Sequence, residues 1–140
     1  MSKHTAVLQR LLAGGAVYFL GVSAAHMAGI KIPLLFIYFS IPSYAYQDKI
    51  ISFLSFGWSL FLFTAARDPV KHRDLVRAVL IAGVVALFGL QVINSVTDFR
   101  SLAPDAHPAV FRMESLGLSV YVGALIIFYY LSKKGDRGRS

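Results

Sequence analysis

The chain has 140 residues, of which 56% are hydrophobic and 15% charged, with a mean hydropathy of +0.63; a soluble domain of this size is about half apolar and about a quarter charged. The absence of cysteine excludes disulfides, thiolate catalysis and Cys-bound zinc or iron–sulfur centres. The formal charge of +7 does not indicate nucleic acid as a partner, because the basic residues flank apolar runs instead of forming one basic face.

Lys, Arg, Asp and Glu are missing from four long stretches and crowd the gaps between them. A water-facing helix would carry charges at intervals along its outer face. A helix needs roughly 20 apolar residues to cross a bilayer core. The first such stretch is 11–29, between Arg10 and Lys31. Its basic start and the small residues Ser23, Ala24 and Ala25 are reminiscent of a secretory signal, but the apolar run is long for one. Segment 32–47 carries no charge until Asp48, yet contains Pro33 and Pro42, which disfavour a straight helix. Tyr38, Tyr44 and Tyr46 suit a headgroup region, so this segment reads as an interfacial aromatic loop, with a short re-entrant piece as the alternative.

The second span is 50–66, between Lys49 and Arg67. Asp68-Pro69 has the form of an N-cap followed by a first-turn proline, so the third helix is expected to start there and to cross over 78–97. Pro104 and Pro108 bracket a turn before the fourth span, 115–132, and the polar tail 133–140 is expected to be disordered. The expected fold is all-α: an integral membrane, antiparallel four-helix transmembrane bundle in one domain. Small residues are expected to let the helices approach: Gly14, Gly21 and Ala25 on the first, Ala78, Ala82, Ala86, Gly83 and Gly89 on the third, Gly117 and Gly123 on the fourth.

With four spans, the two termini and the second gap share one side, which holds ten of the 14 Lys and Arg residues. The positive-inside rule then puts both termini in the cytoplasm and the protein in the inner membrane.

Polar groups are costly inside a bilayer, so their positions are informative. In this topology they gather in the outer half. His26 lies near the outer end of the first span. Asp48, Ser52, Ser55 and Ser59 descend the second at spacings of three and four, on one helical face. Gln91, Asn94, Ser95 and Asp98 climb the third, and Arg112, Glu114 and Ser115 open the fourth. One reading is a ligand pocket. His26 would accept a proton or bind a ligand. Asp48, Asp98, Ser52, Gln91, Asn94 and Glu114 would supply hydrogen bonds, and Arg112 would hold an anionic head. Tyr44, Tyr46 and Trp58 would form its walls.

The other reading is structural. Asp48 and Glu114 suit helix starts, Asp98 and Arg112 can pair across a loop, and serines in membrane helices commonly bond backbone carbonyls. Gln91 and Asn94 can join helices.

No metal or cofactor is expected. The four histidines are scattered, H-E-x-x-H is absent, and a bis-histidine haem would need a second histidine within the spans. Gly-rich phosphate loops, dinucleotide fingerprints and the G-x-S-x-G elbow are absent too.

The segment from Pro42 to Asp48, followed by Phe56-Gly57-Trp58, has the look of a family signature. In span number and size the chain resembles DoxX-like and other small four-helix membrane proteins of bacteria. The resemblance implies the fold and no functional residue. Three functions stay open: an accessory or structural subunit binding membrane proteins or lipid, an enzyme or binding protein for an amphipathic molecule such as a quinone or lipid, and a transporter built from several copies.

Overall fold

The computed structural model describes residues 2–137. The described residues form five helices and no strand: α1 (Lys3–Ala28), α2 (Ala45–Arg67), α3 (Arg73–Val96), α4 (Phe99–Leu102) and α5 (Pro108–Arg137). Four of them, all but α4, are long and apolar enough to cross a membrane.

Several helix ends have a chemical cause in the sequence. Ser2 caps α1 by accepting the Thr5 N–H, and Gly29 closes it at φ 71°, where a residue without Cβ is favoured. Gln47 Oε1 accepts the Tyr44 N–H at the start of α2. Pro108 stands at the first position of α5, where its missing N–H costs nothing. Asp68 does cap, taking the N–H groups of Val70 and Lys71, but the turn it closes is separate and α3 begins only at Arg73. The one-turn α4 was not foreseen; Asp98 caps it through the Arg100 N–H. Beyond Ser132 the chain stays helical through Arg137, and 138–140, the rest of the tail expected to be disordered, lie outside the described residues.

The distribution of side chains is the reverse of that in water. Phe53, Leu54, Phe61, Phe63, Val85, Phe88, Met113, Leu116 and Val120 are exposed, whereas Thr5, Ser23, Ser52, Ser55, Ser59, Asn94 and Ser115 are buried. Such continuous apolar surface is stable when hydrocarbon covers it.

Polar seams join the helices. Ser52 Oγ donates to the Ser23 carbonyl at 2.9 Å, and Ser59 Oγ to the Ala16 carbonyl at 2.8 Å. Higher numbers on α2 therefore meet lower numbers on α1. The same reversed order holds between α1 and α5, where Tyr121 OH donates to the Leu11 carbonyl and Gly135 packs on Ser2. It recurs between α3 and α5, where Asn94 Nδ2 donates to Ser115 Oγ and Gly83 lies against Val122. Leu8, Leu12, Leu62, Ala65, Val76 and Leu125 fill the space between.

The small residues behave differently from expectation. Gly14, Gly89, Gly117 and Gly123 have open space where a side chain would stand, and Ala78 and Ala86 are exposed. Among the described glycines the tightest surroundings are at Gly15, where an added Cβ would run into the Tyr121 hydroxyl.

The connection 29–44 turns back along α1. Leu34 forms its tip at φ 72°, Leu35 lies beside Gly21, and Phe36 stacks on His26. The chain then crosses to α5. Tyr38 and Phe39 pack on Phe111, and Tyr38 also on Phe99, building a second small core with Ala103 and Ala106.

Candidate functional site

The residues proposed from the sequence as one cluster divide among separate places. His26 and Asp48 meet, with Nδ1 and Oδ1 3.5 Å apart and both residues buried. Ser43 Oγ lies 3.1 Å from each Asp48 oxygen, and Lys31 Nζ donates to Ser43 Oγ at 2.6 Å. Lys49 Nζ donates to the Met27 carbonyl, tying the same two helix ends together. Phe36 lies flat over the His26 ring with centroids 3.5 Å apart. This knot ties the end of α1 to the start of α2 and is sealed by an aromatic lid. Ser52 belongs to the same α1–α2 seam, through Ser23.

Asn94 is buried at a second junction. It donates to Ser115 and accepts from Tyr38 OH at 3.2 Å, linking α3, α5 and the α1–α2 connection. Burial raises the Tyr38 phenol above its usual range, so it remains a hydrogen-bond donor.

Glu114 stands at a third place. Its Oε1 accepts the Leu34 N–H at 2.9 Å, and Tyr18 OH donates to the Leu34 carbonyl at 2.6 Å. The two side chains thus satisfy both backbone groups of the loop tip. Glu114 Oε2 is closed off from solvent and bonds no described residue.

The remaining candidates point outward. Tyr44 and Tyr46 are exposed and stack on each other at 5.9 Å. Gln91, Asp98 and Arg112 are exposed, and no ion pair joins Asp98 to Arg112 among the described residues. Ser95 bonds the Gln91 carbonyl of its own helix.

A groove lies elsewhere, between α1, the loop tip and α5. This groove encloses about 710 Å³, within the range typical of small-molecule sites. Arg10, Gly14, Tyr18, Leu34, Glu114 and Gly117 mark its course. The polar atoms of its walls are largely engaged: Tyr18 and Glu114 hold Leu34, and Tyr121 holds Leu11. What faces the groove is mainly carbon. Among the residues proposed from the sequence, Glu114 alone borders it. Arg10 read as a topology determinant and Gly14 and Gly117 as packing contacts. No group of three or more potential metal ligands occurs among the described residues.

Compared with models of protein families, with curated proteins and with solved structures, the chain finds no match.

Proposed function

We propose that this protein is a multi-pass protein of the inner membrane that holds a lipid-like amphipathic molecule in the groove between α1 and α5, acting as an accessory component and not as a catalyst. The observation that carries this reading is the groove itself. It is a long, carbon-lined space kept open by glycines at Gly14 and Gly117. The polar knot at His26 supports the same choice, because Phe36 covers it and the groove does not include it.

The four spans form an antiparallel bundle in this reading, with both termini cytoplasmic, as the ten-to-four division of basic residues suggests. Tyr44 and Tyr46 sit among the headgroups. The tip at Leu34 dips below them, where backbone that is not helical is tolerated only if protein groups satisfy it; Tyr18 and Glu114 meet that requirement. Kinship with DoxX-like proteins belongs to this proposal and rests on layout.

The test is purification in mild detergent followed by native mass spectrometry. A copurified amphiphile is expected on the wild-type chain and is lost from Gly117→Leu, which places a side chain where an added Cβ meets nothing within 4 Å. A stoichiometric protein partner together with an empty groove would favour a purely structural subunit. Occupancy unchanged in Gly117→Leu would remove the groove from the function.

A further inference from the structure

We infer that the occupant of the groove is an anionic phospholipid, its phosphate held by Arg10 and one acyl chain lying between α1 and α5. The inference rests on the groove reading above and adds the chemistry of the ligand and its orientation.

Charge is placed unevenly along the groove. Arg10 borders it at one end, is exposed, and has no acidic partner among the described residues. Lys3 stands seven residues earlier, two turns away on the same face of α1. Basic pockets between helices on the cytoplasmic side are suited to anionic headgroups, and a guanidinium matches two phosphate oxygens at once. At the other end stands Glu114, whose one bonded oxygen is committed to the loop tip. An anionic head is attracted to the Arg10 end and repelled from the Glu114 end, which fixes the orientation of the ligand.

The dimensions agree. From Val110 to Tyr121 the groove follows α5 over eleven residue steps, about 16 Å at 1.5 Å per residue. That is about half of a 30 Å hydrocarbon core, long enough to hold a large part of one acyl chain. Gly14 and Gly117 leave open the space a chain would fill.

The experiment uses the full-length chain in detergent and follows binding by native mass spectrometry. The probes are dioleoyl phosphatidylglycerol and the matched phosphatidylcholine, each with and without inorganic phosphate. The wild-type chain should prefer the anionic lipid by about fivefold or more, the scale of one basic residue near a lipid surface. Arg10→Ala should abolish that preference while retaining phosphatidylcholine binding. Gly117→Leu and Gly14→Leu should weaken both lipids about tenfold. Gly89→Leu, the same change at an open site away from the groove, should change neither and controls for altered helix stability. A preference that survives Arg10→Ala, or displacement of the lipid by inorganic phosphate, overturns the inference and leaves the groove reading standing. Binding indifferent to both groove-filling variants overturns the groove reading as well.

Discussion

The Leu34 N–H donates to Glu114 Oε1 at 2.9 Å, joining the tip of the first connection to the second turn of α5 across eighty positions of sequence. With Tyr18 on the Leu34 carbonyl, it holds a leucine at φ 72°. A left-handed conformation costs such a residue roughly 1–2 kcal/mol. The Leu34 side chain is 69% exposed in the isolated molecule, so little packing is lost if it is removed.

Leu34→Gly should therefore raise the melting temperature in detergent, by relieving up to about 1 kcal/mol of strain. Glu114→Ala should lower it, since the Leu34 N–H loses its partner at a cost of about 1–3 kcal/mol. Glu114→Gln keeps an acceptor and should lie between Glu114→Ala and the wild type. Thermal unfolding of the three variants side by side provides the check. A stabilised Glu114→Ala would show that the loop does not depend on this bond.

Two adjacent glycines should respond oppositely to one methyl group. Gly14→Ala adds a side chain in open space and gains helix propensity, so stability should hold or rise by up to about 1 kcal/mol. Gly15→Ala drives a Cβ into the Tyr121 hydroxyl, which is bonded to Leu11, and should destabilise by about 1–3 kcal/mol. Tyr121→Phe combined with Gly15→Ala should recover part of the loss. Detergent-resistant folding measured by gel filtration and thermal unfolding would decide it.

The α1–α2 seam can be tested covalently, because the chain has no cysteine of its own. Ser23 Oγ and Ser52 Oγ lie 3.2 Å apart. The double variant Ser23→Cys/Ser52→Cys should form a disulfide on mild oxidation in membranes. Ser23→Cys paired with Gln91→Cys, an exposed position on α3, should not. Equal cross-linking in both pairs would contradict the seam.

If His26 serves as a filler at the knot, a ring of similar shape should replace it. His26→Phe preserves the stack on Phe36 and removes a buried nitrogen that lacks a hydrogen bond, while Asp48 loses its partner at 3.5 Å but keeps Ser43, so the net effect should be small, within about 1 kcal/mol. His26→Ala should cost about 2–4 kcal/mol through the cavity it leaves. Loss of lipid binding in His26→Phe, with its melting temperature intact, would assign the histidine a functional role instead.

The four long helices were legible because charge is excluded from them. The stripe Asp48, Ser52, Ser55 and Ser59 was legible because spacings of three and four put it on one face, and all four are buried. Their partners were not legible: periodicity says which face turns inward, but not that Ser59 meets the Ala16 carbonyl or that Asn94 meets Tyr38. On α3 the same spacing misled, since Gln91, Ser95 and Asp98 are exposed and only Asn94 is buried. In a helix covered by hydrocarbon, a polar group can bond its own backbone, as Ser95 does, without turning inward. The groove was hidden for another reason. It is made by side chains that Gly14 and Gly117 lack, and glycine in a membrane helix reads equally as close contact or as vacancy.

The seam between Ser23 and Ser52 and between Ala16 and Ser59 lies wholly within the first 67 positions. A hairpin of α1 and α2 thus contains both partners of each of these interhelical hydrogen bonds. The groove, by contrast, needs walls from both ends of the chain, so any truncation that removes α5 removes the groove while leaving the seam's partners in place.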